Sequence, residues 1–202
     1  MSEQRKALII CAYSCCGKSC VKMKLDDLIE KVDYFKDKLK IIDIDEVFRC
    51  KKVDKEKARN IAQYIQEKMN EIQIIFVPSD KNIRNALDEL GIAYILAFPE
   101  PTELNEWVGR AYIRGDSPES INRMIKSWSN DLRDCLNHDN RLNIMLRGSS
   151  IGSMSRNSTL MRWLLAEETI QYIDRVVKAG LLPEGTFSTE ISLMRAEGWR
   201  VF

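Results

Sequence analysis

Short apolar runs alternate with amphipathic stretches over most of the chain. A short continuous apolar run is typical of a parallel strand buried on both faces, whereas apolar positions recurring every three or four residues indicate a helix. On this basis we predict strands over 6–11, 39–45, 72–77, 93–98 and 142–146. Helices are predicted over 17–32, 55–70, 82–90, 103–114, 117–136 and 159–179. This order predicts an α/β fold, a doubly wound parallel sheet with helices on both faces and functional groups at the carboxyl ends of the strands.

Capping and breaker residues divide the chain into two parts. Serine, proline and glutamate at 117–119 provide an N-cap, a proline at the first helical position and an acid in the first turn. The serine-rich segment 148–158 is predicted to be a linker or a mobile loop. We therefore expect a core of residues 1–147, which includes a helical pair at about 101–136, and a C-terminal extension of residues 148–202 made of the linker and a helix.

The segment between the first strand and the first helix has the pattern of a phosphate-binding loop. Strand, glycine-containing loop and helix follow in the order that such a loop requires. In this geometry backbone N–H groups and the helix N-terminus face the phosphates, Lys18 reaches the β- and γ-phosphates, and the Ser19 hydroxyl ligates Mg²⁺. The stricter pattern has glycine where Ala12 stands, so the backbone there must tolerate a Cβ. The predicted nucleotide contacts are Ala12, Tyr13, Ser14, Cys15, Cys16, Gly17, Lys18, Ser19 and Cys20.

Composition narrows the class of protein. The 202 residues are 45% hydrophobic and 30% charged, which is typical of a globular domain. A net charge of +1 argues against broad electrostatic binding to nucleic acid. No segment is long and apolar enough to cross a membrane, and the first strand begins too close to Met1 for a signal peptide. We therefore expect a cytoplasmic location and no membrane partner.

The six cysteines raise the question of disulfides or a metal site. Four of them lie in or next to the loop, but the chain has no second paired-cysteine cluster and only one histidine, His138, so the pattern does not favour zinc. We predict reduced structural thiols, with redox sensitivity of Cys15 or Cys16 as the alternative. A single histidine excludes most hydrolase triads, and its polar surroundings predict a solvated side chain.

Three further segments carry a resemblance to a known family, namely 75–87, 94–99 and 110–115. Together with the loop they are similar to small phage and bacterial P-loop kinases of the nucleotide-kinase type, over roughly residues 6–136. The resemblance implies a doubly wound sheet with a helical lid, at about 101–136, and ATP-dependent phosphoryl transfer with Mg²⁺. The chain departs from the family at Asp80, where similar proteins often carry histidine, and after residue 148, where no counterpart is identified.

Asp43 and Asp45 end the second predicted strand. Period-two alternation along a strand sends both carboxylates to the same face, at the carboxyl edge of the sheet. By resemblance to small-molecule kinases with an Asp-x-Asp at this place, Asp43 is the metal-side acid, and Asp45 orients the acceptor hydroxyl or acts as its base. The alternative is a pair of strand-end carboxylates with no chemical role.

Phosphoryl transfer also needs cations over the transferred group. Arg110 and Arg114 are four residues apart on a predicted helix, so their guanidinium groups can converge on one anion; the alternative is a solvated basic face. Arg84 is a weaker candidate for binding an acceptor phosphate, and Ser79 is a candidate acceptor contact at the end of its strand. The predicted catalytic residues are Lys18, Asp45, Arg110 and Arg114.

Three classes of function stay open. The favoured one is a kinase for a nucleotide or similar small acceptor, preferably a nucleoside monophosphate, with ATP or GTP as donor. The second is a phage-type kinase that phosphorylates a hydroxymethylated pyrimidine in DNA, and the third is a nucleotide-binding protein without transfer. Residues 147–202 hold seven Lys and Arg against six Asp and Glu, a balance unlike a surface that tracks phosphates, which favours the small acceptor.

Overall fold

Five parallel strands form one sheet in the computed structural model, which describes residues 7–18, 40–50, 52–72, 74–138 and 143–146. The strands are β1 (Leu8–Ala12), β2 (Ile41–Asp43), β3 (Ile74–Pro78), β4 (Ile95–Pro99) and β5 (Asn143–Leu146). Their order in the sheet is β2-β3-β1-β4-β5. Because β1 and β4 are buried along their whole length, they consist of continuous apolar runs rather than alternating ones. The predicted α/β class with a parallel sheet is confirmed.

Strand β1 lies at the centre of the sheet, and the chain order reverses beside it. Its register joins Ala12 to Pro78 of β3 on one side and to Ala97 of β4 on the other. The chain passes from β1 to β2 on one side of the sheet and later crosses to β4 and β5 on the other. Open α/β sheets bind ligands outside the carboxyl ends of the strands at such a reversal. The segment that follows Ala12 therefore occupies the place where this fold positions a ligand.

The described helices are α1 (Ile44–Phe48), α2 (Lys55–Lys68), α3 (Lys81–Glu89), α4 (Leu104–Arg114) and α5 (Pro118–Leu136), with a 3-10 turn at Pro101–Glu103. Short polar side chains cap the starts of α1, α2, α3 and α5, whereas α4 begins without a side-chain cap. Asp54 accepts a hydrogen bond from the Lys57 N–H, Asp80 accepts from Asn82 and Ile83, and Ser117 accepts from Ser120. Helix α2 contacts α3, and α5 packs on both α4 and β4.

The second strand is shorter than predicted, and this is a correction. The chain leaves the sheet at Asp43 and enters α1, so Asp45 lies in the first turn of a helix rather than on a strand. The reason is local: the Asp43 side chain accepts the Asp45 N–H at 3.0 Å and thereby caps the helix. The other described strands and helices start and end within two residues of the predicted bounds. The predicted helix 17–32, apart from its first two residues, and the whole extension 148–202 lie outside the described residues.

A buried ion pair joins α3 to α5. The Arg84 side chain is only 1% exposed, and its guanidinium donates to the Asp134 carboxylate, which Lys81 also contacts at 2.7 Å from the solvent side. A buried guanidinium is tolerated in a core only when its charge is neutralised. Asp134 therefore neutralises a charge at the interface of two helices. Within the described ranges, no helix is long and apolar enough to span a bilayer.

We predict that Asp134→Ala lowers the free energy of unfolding by about 3 kcal/mol, because it leaves the Arg84 charge buried without its partner. Lys81→Ala is the matched control: it removes the exposed partner of the same carboxylate and should cost less than about 1 kcal/mol. Urea unfolding of both variants measures the difference. Equal losses in the two variants would show that Arg84 is not stabilised by this pair.

Candidate functional site

The backbone from Tyr13 to Gly17 forms a concave turn beyond β1. The Tyr13 N–H donates to the Ala97 carbonyl of β4 at 2.9 Å, and the Cys16 N–H donates to the Tyr13 carbonyl at 3.4 Å. The φ angles alternate in sign: Cys15 and Gly17 have φ of 62° and 92°, and Ser14 lies among the residues with negative φ. Alternating signs of φ turn successive N–H groups toward one side and make an anion-binding concavity. The signs of φ in this turn are those of such a concavity, and its Cys16 N–H is used within the turn.

Two positions explain how the loop accommodates side chains. Ala12 is the last residue of β1 and pairs on both sides, so its extended backbone accepts a Cβ and no glycine is needed there. Cys15 is different because it carries a Cβ in the left-handed region, where a residue other than glycine is strained by roughly 1–2 kcal/mol. The strain is concentrated at the tip of the loop.

Side chains from α4 and α5 hold this loop. The Trp107 indole N–H donates to the Ser14 carbonyl at 2.9 Å, and the Tyr13 hydroxyl donates to Asp131 at 3.3 Å. The Tyr13 ring also packs edge-on against Trp128, with centroids 5.7 Å apart. Trp107 and Asp131 were missed by the sequence analysis. Trp107 lies one helical turn before Arg110 and therefore on the same helix face, which could have identified it from the sequence. Asp131 has no comparable indication in the sequence.

Lys18 and the acidic pair lie together on the opposite flank of the loop. Lys18 Nζ is 3.0 Å from Asp45 Oδ2, and the Asp45 side chain is 42% exposed. Asp43 is buried next to them; burial raises the pKa of its carboxyl, while the positive charge of Lys18 acts in the opposite direction. The two carboxylates lie close together, as predicted. The cause is that Asp43 caps the helix that contains Asp45, not that alternate residues of a strand share a face.

Both predicted arginines reach the loop from α4. Arg110 donates to Glu106 at 3.1 Å, lies 4.4 Å above the Trp107 ring, and is 3.5 Å from the Cys15 carbonyl. Arg114 donates to the Ser14 hydroxyl at 3.3 Å and forms a two-point ion pair with Asp116. This hydrogen bonding lowers the pKa of Asp116. Each arginine thus contacts the Ser14–Cys15 segment, Arg110 at the Cys15 carbonyl and the half-exposed Arg114 at the Ser14 hydroxyl.

Each cation at the loop is held by a carboxylate. The pairs are Lys18 with Asp45, Arg110 with Glu106, and Arg114 with Asp116. A phosphate group that enters the loop competes with these carboxylates for the same donors. The three positive charges at the loop are therefore already paired with negative charges before an anion binds.

The described cysteines are free, and the environment of the loop thiols keeps them protonated. Burial raises the pKa of Cys16 to about 12 and raises the pKa of Cys11 and Cys15 as well. These shifts favour the structural thiols predicted from the sequence over redox sensitivity. Across the described ranges, no three His, Cys, Asp or Glu side chains are grouped so as to hold a metal by themselves. Ser19 and Cys20 lie outside the described residues.

The structure also locates three further residues singled out in the sequence analysis, namely Arg84, Ser79 and His138. Arg84 is engaged with Asp134 in the core, so its recorded contacts serve helix packing rather than an acceptor. Ser79 follows Pro78, the register partner of Ala12, and therefore lies at the same sheet edge as the loop. The prediction of a solvated His138 is wrong: the ring is largely buried against Tyr94 and 3.1 Å from Asp88, and burial lowers its pKa.

Comparison with protein-family models, with curated proteins and with solved structures found no match to this chain.

We predict that Cys15→Gly is more stable to unfolding than Cys15→Ala by about 1 kcal/mol, since only glycine adopts a φ of 62° without strain. Both variants lose the thiol, so the comparison isolates the backbone. Urea unfolding of the pair measures the effect. An alanine variant more stable than the glycine variant would contradict the left-handed conformation at this position.

Proposed function

We propose that the chain is an ATP-dependent kinase that transfers the γ-phosphate to a nucleotide or similar small acceptor, with a nucleoside monophosphate favoured. In this proposal the parallel sheet is doubly wound, residues 101–136 act as a helical lid, and residues 148–202 form an extension. The observation that carries the proposal is the concave turn from Tyr13 to Gly17, with alternating φ, at the carboxyl end of the central strand and flanked by Lys18 and two arginines.

The residues of the loop fit a nucleoside triphosphate with Mg²⁺. Inward-facing N–H groups supply neutral donors for phosphate oxygens, and Lys18 supplies a cation at the start of a helix. Magnesium is usually bound through one or two carboxylates together with substrate phosphates, and Asp43 is a buried carboxylate beside Lys18. When bound, Mg²⁺ would neutralise charge on the phosphate oxygens; the Ser19 hydroxyl is its predicted protein ligand.

The pairing of Lys18 with Asp45 links the two halves of the reaction. When Lys18 turns to the phosphates, it leaves the Asp45 carboxylate, which is 42% exposed and open to an acceptor. The freed carboxylate then orients the acceptor by accepting a hydrogen bond from one of its hydroxyl groups. Where that hydroxyl is itself the attacking group, Asp45 also takes up its proton; the attacking oxygen of a monophosphate carries no proton to remove, and Asp45 then only orients the acceptor. Donor binding thereby frees Asp45 for the acceptor.

The arginines act on the donor side. Both already contact the Ser14–Cys15 segment, so Arg110 would face a phosphate in the turn from its place on the Trp107 ring, and a small rotation would bring Arg114 over it. Positive charge at this position stabilises the negative charge that spreads over the transferred phosphoryl oxygens. Glu106 and Asp116 hold the guanidinium groups in place until then.

An acceptor screen tests the proposal directly. Purified protein with ATP or GTP and Mg²⁺ is offered nucleosides, nucleoside monophosphates and hydroxymethylated DNA, and release of the nucleoside diphosphate is followed. Turnover with a monophosphate supports the proposal, and turnover with DNA alone supports the polymer kinase. Nucleotide binding without turnover on any acceptor identifies a binding protein.

We predict that Lys18→Ala lowers turnover by orders of magnitude without unfolding the protein, because in the proposed reaction the missing cation acts on the phosphates and its partner in the free protein is the half-exposed Asp45.

Asp45→Asn should lower turnover, by about 10²- to 10⁴-fold where the attacking group of the acceptor is a hydroxyl, because the carboxylate that orients and deprotonates it is lost. Mg·ATP affinity should not fall, since asparagine no longer competes for Lys18. Asp43→Asn should instead weaken the dependence on Mg²⁺. Glu46→Gln, an exposed acid next to Asp45, is the control. If neither aspartate variant changes the kinetics, the two carboxylates have only a structural role, in which Asp43 caps α1 and Asp45 pairs with Lys18.

We predict that Arg110→Ala and Arg114→Ala each lower turnover by about 10³-fold or more, with a much smaller change in ATP affinity, because their charge acts mainly on the transition state. Arg59→Ala on α2 is the control, since that side chain is exposed and lies in a long ion pair of 3.9 Å with Glu89. Turnover within about twofold of the parent for both lid variants would exclude a catalytic contribution.

A further inference from the structure

We infer that Trp107 is a positioning residue that sets the orientation of the Ser14–Cys15 peptide and carries Arg110 on its ring, so that the loop and the first lid arginine behave as one rigid unit. The inference rests on the proposed function, because it concerns how that site is shaped before a nucleotide arrives.

The hydrogen bond from Trp107 fixes a peptide plane. The indole N–H donates to the Ser14 carbonyl at 2.9 Å. In a trans peptide the carbonyl of one residue and the N–H of the next point in opposite directions. Holding the Ser14 oxygen toward α4 therefore turns the Cys15 N–H away from α4. The strained φ of 62° at Cys15 needs such an external contact to persist.

The same indole supports the arginine. The Arg110 guanidinium lies 4.4 Å above the Trp107 ring centroid, and Glu106 on the preceding turn holds it there. Arg110 also donates weakly to the Cys15 carbonyl at 3.5 Å. One side chain thus touches both the loop and the cation that faces it.

The ring itself cannot move without opening the core. Trp107 is fully buried and packs against Trp128, with ring centroids 6.3 Å apart. The first two turns of α4 are therefore anchored to the loop. Within α4, closure of the proposed lid is then confined to the last turn, with the half-exposed Arg114 and the exposed Tyr112. A loop held in its binding shape avoids the cost of reorganisation during binding and transfer.

The chain contains a matched control for this contact. Trp128 lies in the same cluster, and its indole N–H also donates to a backbone carbonyl at 2.9 Å, but that carbonyl belongs to Pro101 and not to the loop. Trp107→Phe and Trp128→Phe each remove one indole N–H and a similar volume, and phenylalanine at 128 keeps an aromatic ring against Tyr13, which Trp128 contacts edge-on. Only the first variant frees the Ser14 carbonyl.

The first measurement needs no ligand. The Cys16 N–H closes the loop on the Tyr13 carbonyl, and its hydrogen exchange reports opening of the turn. Trp107→Phe should speed this exchange about three- to tenfold, the effect of losing one hydrogen bond, and Trp128→Phe should change it less than about twofold. Unchanged exchange in both variants, or equal acceleration, overturns the inference.

A second variant tests the same contact if the Trp107→Phe protein does not fold. Cys15→Gly relaxes the turn while leaving both tryptophans in place, and it should shift the indole N–H resonance of Trp107 but not that of Trp128. Two unmoved indole resonances count against the contact.

Ligand binding separates this inference from the proposed function. Mg·ATP and inorganic tripolyphosphate should bind about three- to tenfold more weakly to Trp107→Phe than to Trp128→Phe. If the parent protein binds neither probe, the proposed function fails, whereas the exchange and resonance measurements still decide whether Trp107 holds the loop. Equal affinities of the two variants for a probe that the parent does bind overturn the inference.

Discussion

The turn from Tyr13 to Gly17 depends on hydrogen bonds that it cannot make for itself. The Cys16 N–H satisfies the Tyr13 carbonyl within the turn, but the carbonyls of Ser14 and Cys15 need donors from elsewhere in the protein. Trp107 supplies one for Ser14, and Arg110 lies near the carbonyl of Cys15. Because these donors come from a helix almost a hundred residues further along the chain, the packing of α4 and α5 on the sheet is a condition for the shape of the loop.

Charge imposes a second constraint on the same place. Three cations converge on a short stretch of backbone, and each is paired with a carboxylate, namely Asp45, Glu106 or Asp116. Without these partners the cations would repel one another around the loop. Binding of an anion is then an exchange of partners rather than the simple neutralisation of free charge, so its net strength depends on how well the phosphate replaces carboxylates already in place.

The sequence predicts those elements whose cause is local. The start of α5 follows from Ser117 and Pro118, and the loop follows from an apolar strand, Gly17 and Lys18 in succession. Asp43 shows the limit of such reasoning. Its side chain caps α1 and thereby ends β2. The apolar pattern does not reveal that a helix cap competes with the strand at this residue. His138 and Arg84 show another limit. The environment of His138 is set by Asp88 and that of Arg84 by Asp134, and no spacing in the sequence indicates these contacts.

The most direct test of the account is a titration of the backbone amide resonances with Mg·ATP. The account predicts that the amide protons of Cys15 and Gly17 shift strongly downfield on binding, because their N–H groups donate to phosphate oxygens. Gly91, which also has a positive φ of 63° but follows the C-terminal end of α3, is the internal reference and should not shift. Saturable binding that leaves Cys15 and Gly17 unmoved, or no binding of Mg·ATP at all, would contradict the claim that this turn is a phosphate-binding site.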